Sequence, residues 1–195
     1  IPVFDACVGN PPYIRQELIE DKEKWNKLAE IEFGIKKINQ QSDMYVYYFM
    51  HTAAFLKNGG RFGYVISSSW LDSSFGAGFQ NFLLDHFKII AILDNQKKRS
   101  FETASINTII LILEKCDNIK ERASNVVRFV RVFSDYESII GKCSNGERIE
   151  KIKEFAESIE KIIKTTKNKD FLVSTIKQST LENDSTFDRK YENGY

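Results

Sequence analysis

The stretch Phe4-Asp5-Ala6-Cys7-Val8-Gly9-Asn10-Pro11-Pro12-Tyr13 contains a short apolar run that is followed at once by two prolines. The run from Ala6 to Val8 predicts a buried strand that ends at Gly9. Each proline fixes φ, removes a backbone donor and keeps the residue before it extended, so a stiff, carbonyl-rich turn should follow the strand. In open α/β sheets, the carboxyl end of a strand is where ligands bind.

The residue types in this turn favour a flat heterocycle that carries an amino group. The side-chain oxygen of Asn10 and the carbonyl of Pro11 can each accept one N–H, and the ring of Tyr13 can stack on the heterocycle. A loop that merely needs two prolines is the alternative, and the tetrapeptide alone leaves that alternative open.

Composition indicates an ordinary globular protein of 195 residues, 42% hydrophobic and 28% charged. The net charge of +1 means that any contact with nucleic acid would use local patches. Three cysteines without a Cys-x-x-Cys pair argue against a disulfide framework or a metal site and favour a cytoplasmic location. The chain begins at Ile1, almost directly on a strand, so we expect it to be a piece of a longer protein.

Alternating strand and helix patterns predict an α/β fold with a mostly parallel sheet. Apolar residues at near-helical spacing in 14–40 predict one or two helices, either a plain surface pair or a flap over the turn. Ser42 is expected to cap a buried helix from Met44 to Leu56, which Asn58-Gly59-Gly60 would end. Strands are predicted at 61–66, 89–93, 106–113, 126–133 and 171–176, and further helices at 75–87 and 147–165.

Four segments together resemble the amino-methyltransferases that use S-adenosylmethionine. Asn10-Pro11-Pro12-Tyr13 resembles their motif IV in its N6-adenine form, and Asp43-Met44-Tyr45 resembles the start of motif V. Residues 59–66, with Ser69-Trp70-Leu71 after them, resemble motif VI of the large restriction-modification adenine methyltransferases, and residues 101–108 resemble their motif VIII. The matches cover about residues 1–115 in the family's order, which is similar to that of the gamma class.

The resemblance implies a partial class I methyltransferase sheet, Rossmann-like, with strands in the order 4-5-7-6 and strand 7 antiparallel. Residues 1–133 would form the second half of the catalytic domain. Residues 134–195 would form a helical connector and the start of a target-recognition region. A missing N-terminal half of the methyltransferase domain would pair with strand 4, and without it we expect self-association through that edge.

The resemblance also implies that the full-length protein is an S-adenosylmethionine-dependent DNA adenine-N6 methyltransferase of a restriction-modification or phage-defence system. Asn10, Pro11, Pro12 and Tyr13 would be catalytic, and Tyr13 and Phe101 would stack on a target base that has left the duplex. Phe101 has an equally good interpretation as a core residue. Lys97, Lys98 and Arg99 could contact DNA phosphates, although such a run is commonly a solvated loop.

Other functions stay open at this point. A protein-glutamine or RNA adenine methyltransferase fits the same turn, and a non-catalytic domain could keep the fold for DNA binding. The family's glycine-rich cofactor loop and ribose-binding acid lie upstream of motif IV, so we expect the cofactor site to be incomplete and the fragment alone to be inactive.

One segment imitates the missing loop. Phe75-Gly76-Ala77-Gly78-Phe79, with Asp94 ending the next strand, has a similar arrangement of glycines and acid. A functional glycine turn follows its strand directly, whereas a serine-rich loop intervenes here. These glycines are therefore predicted to let a helix pack closely.

Overall fold

A computed structural model describes residues 3–95, 107–141 and 144–183. Helices and strands are interspersed along these residues, which agrees with the predicted α/β class, although they do not alternate strictly. The strands are β1 (Phe4–Gly9), β2 (Leu56–Ser67), β3 (Phe87–Asn95), β4 (Thr108–Lys115), β5 (Val126–Val132), β6 (Thr166–Lys167) and β7 (Phe171–Lys177). The helices are α1 (Lys22–Phe33), α2 (Met44–Ala54), α3 (Gly76–His86), α4 (Ile119–Ser124), α5 (Tyr136–Ile140), α6 (Asn145–Glu160) and α7 (Gln178–Asn183).

The seven strands form one sheet in the order β1-β2-β4-β3-β5-β7-β6. β1 and β2 are parallel, and β4 lies antiparallel between β2 and β3. The predicted order 4-5-7-6 with an antiparallel strand 7 is thereby confirmed, since β1, β2, β4 and β3 take these four places. β5, β7 and β6 extend the same sheet, so pairing continues across residue 133, where a domain boundary was expected.

β1 forms one edge of the sheet, and β2 is its neighbour. The prediction that Ala6 to Val8 are buried is wrong: Ala6 is exposed and Val8 is 85% exposed, while Cys7 packs against the core. Adjacent residues of a strand point to opposite faces, so only one face of β1 is covered. Nothing in the described part of the chain covers the face that bears Val8.

The helix α2 ends at Ala54, and β2 starts two residues later, earlier than the sequence suggests. Gly59 does adopt a positive φ of 79°, but it does so inside β2. The register of β1 against β2 jumps from Leu56 to Arg61 over two residues of β1, so Asn58-Gly59-Gly60 forms an irregularity in the strand and does not end the helix.

Two cores lie on opposite faces of the sheet, since neighbouring residues such as Ala91 and Ile92 belong to different clusters. The larger core is rich in aromatic rings, and α2 and α3 contribute much of it. Phe49 of α2 lies at its centre, with its ring centroid 4.3 Å from that of Phe62 and 4.9 Å from that of Phe79. This packing holds α2 and β2 in fixed positions around the turn after β1.

The smaller core lies beneath α6. Its buried members are Ala91, Val130, Val132, Ile159 and Val173. Arg128 of β5, only 7% exposed, joins this layer and donates to the carbonyl oxygens of Glu160 and Ile162 at the end of α6. Its guanidinium also donates to the Val126 and Ile90 carbonyls, so one buried cation connects the helix to the sheet.

Candidate active site

The turn after β1 lies tightly against β2. A Cβ atom on Gly9 would lie 2.7 Å from Cε1 of Tyr64, so a larger residue would displace that ring. The Tyr64 hydroxyl donates to Thr52 Oγ1 at 2.9 Å, which limits how far the ring can move. Glycine at position 9 therefore lets the turn approach the carboxyl-terminal part of β2.

Hydrogen bonds to β2 and to the start of α2 hold the segment that follows the two prolines. The Tyr13 hydroxyl donates to the Val65 carbonyl at 2.9 Å, and Met44 N–H donates to the Ile14 carbonyl at 3.0 Å. The backbone N–H of Gln16 donates to Asp43 Oδ1 at 3.0 Å. The residues from 13 to 16 are thus attached both to β2 and to the start of α2.

Asp43, not Ser42, occupies the N-cap position of α2. Its carboxylate accepts from Gln16 rather than from a backbone N–H of its own helix, so the expected cap at Ser42 is wrong. Burial, as the largest effect, raises the pKa of Asp43, although the hydrogen bond from Gln16 opposes this shift. Asp43 therefore stabilises the turn, and its side chain does not cap α2.

An open cavity of about 340 Å³ lies at the carboxyl end of β2. Hydroxyl groups line one wall: Ser67 Oγ donates to Ser69 Oγ at 2.9 Å, and the Tyr45 hydroxyl lies 3.3 Å from the same Ser69 Oγ. Burial raises the pKa values of Tyr13 and Tyr45, which keeps both phenols neutral. The described lining residues are Tyr13, Arg15, Asp43, Tyr45, Ser67, Ser68, Ser69 and Asn107.

The structure brings Tyr13 into the wall of this cavity. Asn10 and Pro12 are exposed and Pro11 is buried on the adjoining turn, and none of the three lines the cavity itself. Phe101 and the basic residues Lys97, Lys98 and Arg99 lie outside the described residues.

Several lining residues were not predicted as site residues. Asp43, Tyr45, Ser69 and Asn107 belong to segments that resemble methyltransferase motifs, so that resemblance was the available signal. The signal for Arg15 was weaker: it stands two residues after Tyr13, and alternate residues of an extended segment share a side. Ser67 and Ser68 had no individual signal beyond the serine-rich composition of their loop.

The histidines and cysteines form no second catalytic constellation in the described ranges. His51 Nδ1 lies 2.6 Å from Glu32 Oε1, and His86 packs between the rings of Phe33 and Phe82. Within residues 3–95, 107–141 and 144–183, no three His, Cys, Asp or Glu side chains are grouped for a metal ion. In the same ranges, no helix has the length and apolar character needed to cross a membrane.

The glycines of the segment that imitates a cofactor loop lie in α3. A Cβ on Gly76 would lie 1.8 Å from the Trp70 carbonyl oxygen. Gly76 therefore permits close packing of α3 on the preceding loop, as predicted.

The sequence of residues 2–101 matches the family described as Eco57I restriction-modification methylase. Two similar curated proteins are type II methyltransferases. M.BstVI of Geobacillus stearothermophilus is 34% identical over 101 residues, which are 51% of this chain and 17% of that protein. M.AccI of Acinetobacter calcoaceticus is 29% identical over 161 residues, which are 79% of this chain and 28% of that protein. The chain thus spans less than a third of either relative.

Two solved structures resemble the whole described fold. The type IIG restriction endonuclease BpuSI gives a TM-score of 0.68 at 15% identity, covering 94% of this chain and 20% of that chain. The methyltransferase subunit of a type I restriction-modification system from Streptococcus thermophilus gives 0.60 at 20% identity, covering 97% and 38%. At these identities the likeness establishes the fold.

Proposed function

Because the chain belongs to the Eco57I restriction-modification methylase family, we propose that it carries the target-base pocket of a DNA methyltransferase that acts on adenine N6. The observation that supports this most directly is the Asn10-to-Tyr13 turn at the carboxyl end of β1, with Tyr13 in the wall of the neighbouring cavity. We propose the same activity on DNA for the full-length protein, of which this chain carries one part.

The turn suits an exocyclic amino group. Adenine N6 is a weak nucleophile because its lone pair is delocalised into the ring. Asn10 Oδ1 and the Pro11 carbonyl would each accept one of its N–H groups and thereby orient the lone pair for reaction. Since Pro11 and Pro12 have no backbone N–H, the turn offers acceptors without a competing donor at those two positions.

Tyr13 would provide a stacking surface for the base. Its hydroxyl is engaged with the Val65 carbonyl, so the orientation of the ring is fixed before a ligand arrives. The cavity of about 340 Å³ falls in the size range of small-molecule sites. A base flipped from the duplex could therefore enter without rearrangement of this wall.

S-adenosylmethionine, when bound, would supply the methyl group. The described residues fit the side of the reaction that holds the acceptor, and Gly76 is needed for packing. We therefore propose that the glycine loop for the cofactor lies in another part of the full-length domain. No protein nucleophile is required: burial raises the pKa of the Cys7 thiol, which stays protonated at neutral pH.

Four further predicted residues, which lie outside the described ranges, would also contact the DNA. Phe101 would form the second stacking surface, and Lys97, Lys98 and Arg99 would contact DNA phosphates. Residues 134–195 would lead towards a target-recognition region, and the protein would act in the cytoplasm.

The test is Asn10→Ala in the full-length methyltransferase. We expect methyl transfer to fall by about 10²–10³-fold, the usual cost of losing one preorganised hydrogen bond to a transition state, while DNA affinity is largely retained. Incorporation of labelled methyl groups into DNA measures the first quantity, and an electrophoretic or anisotropy titration measures the second. The matched control is Asn81→Ala, which removes an exposed asparagine from α3.

Near-normal labelling of DNA by Asn10→Ala would refute the assignment. Labelling of protein or RNA by the unmodified enzyme, with no label in DNA, would favour the corresponding alternative substrates.

A further inference from the structure

The residue two positions after Tyr13 shares its side of the chain. Arg15 has an extended backbone, with φ −66° and ψ 150°. In extended backbone, side chains at i and i+2 point the same way, and both Tyr13 and Arg15 line the cavity whereas the intervening Ile14 does not. The turn thus presents an aromatic ring and a guanidinium together, about 7 Å apart along the chain.

The backbone of Arg15 is held from both sides. Ile14 accepts from Met44 N–H, and Gln16 donates to Asp43 Oδ1, each at 3.0 Å. The Arg15 residue itself is exposed. Within residues 3–95, 107–141 and 144–183, its guanidinium makes no hydrogen bond or ion pair. Among the described residues, Arg15 is therefore a cation on a firmly held backbone, and its guanidinium donors are available to a ligand.

The charge surroundings favour an external anion. Arg15 is the one cation among the described lining residues, and the Asp43 carboxylate is already engaged by Gln16. Arg15 acts electrostatically on Asp43 and on the exposed Glu17, but it is paired with neither. Guanidinium binds phosphate through two parallel N–H···O bonds, which explains why arginine suits this position.

We propose that Arg15 binds the phosphodiester group adjacent to the target nucleotide, so that stacking on Tyr13 and phosphate binding act together. A base that enters the cavity stays joined to its own phosphates, which must then lie at the mouth where Arg15 is. This inference rests on the proposed function. The carboxylate of the cofactor is the other oxyanion that a guanidinium could bind at this place.

The first test is Arg15→Gln in the full-length methyltransferase. DNA affinity should fall about tenfold, as expected for one charge-assisted contact, and the slope of log K against log salt should become shallower by about 1. Arg15→Lys keeps the charge and should retain the salt slope while losing part of the affinity. Lys24→Gln, on the exposed surface of α1, is the control and should change neither quantity.

The second test locates the phosphate. One neutral methylphosphonate is placed in turn at each phosphate beside the target adenine. At the contacted position it should weaken binding by the unmodified enzyme but not by Arg15→Gln, since the two changes remove the same interaction. Equal weakening of both proteins at every position would overturn the proposal.

A raised KM for S-adenosylmethionine with an unchanged DNA salt slope would also overturn it, because the oxyanion would then be that of the cofactor. DNA affinity and its salt slope are measured by binding, so they are separate from the loss of methyl transfer in Asn10→Ala. If Asn10→Ala retained normal activity while Arg15→Gln showed the shallower salt slope, the proposed chemistry would fail and the phosphate contact would stand.

Discussion

Two arginines mark two differently built regions of the sheet. Arg15 stands at the mouth of the cavity beyond β1, exposed, with its guanidinium unengaged within the described ranges. Arg128 lies under α6, 7% exposed, with donors to four carbonyl oxygens. The same side chain can therefore serve a ligand or the fold, and the number of protein acceptors around it distinguishes the two roles.

The neighbours of each arginine follow the same distinction. Around Arg15, backbone hydrogen bonds and the partly buried carboxylate of Asp43 hold a short turn in place. Around Arg128, apolar side chains form a closed layer. Substitutions in the first region should reduce activity with little loss of stability, and those in the second should do the reverse. Three substitutions test the part of this division that concerns stability.

The largest effect on stability is expected from Arg128→Met. The change leaves the carbonyl oxygens at the end of α6 without their buried donor, which should lower the free energy of unfolding by about 2–4 kcal/mol. Urea denaturation of the isolated chain measures it. Arg131→Met, an exposed position on the same strand, is the control and should cost less than about 0.5 kcal/mol. Equal losses of stability from the two substitutions would contradict the structural role assigned to Arg128.

An intermediate effect is expected from Gly9→Ala, at the border between core and turn. The new methyl group would crowd the Tyr64 ring and should cost about 1–3 kcal/mol. Combining it with Tyr64→Leu should recover part of this loss, which a double-mutant cycle would detect. Gly63→Ala is the control, because its Cβ would lie 3.6 Å from the nearest atom, Val8 Cγ1. A cost for Gly63→Ala as large as that for Gly9→Ala would contradict the steric explanation.

The smallest effect on stability, with a distinct effect on association, is expected from Val8→Lys. Val8 lies on the edge strand and is 85% exposed, so the substitution should change the free energy of unfolding by less than about 0.5 kcal/mol. We predict that the isolated chain associates through β1, and a lysine there should suppress this. Ile119→Lys, on α4, should leave association intact. Light scattering over a concentration series measures the association. An unmodified chain that stays monomeric would contradict association through β1 and would show that this edge is covered.

Much of the fold was predictable because strong local patterns carry it. The β-branched run of β4 and the amphipathic spacing of α3 and α6 were located within a few residues. The order of the first four strands came from the family resemblance. Local patterns alone do not specify which strands are neighbours, since pairing joins residues far apart in sequence.

The remaining features depend on contacts that local pattern does not encode. Ala6 to Val8 have the composition of a buried strand, but exposure depends on the neighbours of β1 in the sheet. Asp43 has a side chain that is typical of a helix cap, but its carboxylate accepts a hydrogen bond from Gln16, 27 residues earlier. The extension of the sheet likewise depends on the pairing of β7 with β5 and of β6 with β7, which joins distant residues.

The position of β4 has a consequence for the order of assembly. β4 separates β2 from β3 in the sheet, although it follows both in the chain. Neither earlier strand can acquire its inner partner until Thr108–Lys115 has been synthesised, and a ribosome-bound chain that ends before that point presents two apolar edges. Pairings of such long range also slow folding. We therefore expect the nascent protein to spend an interval exposed to chaperones, which ends when one late strand closes the centre of the sheet.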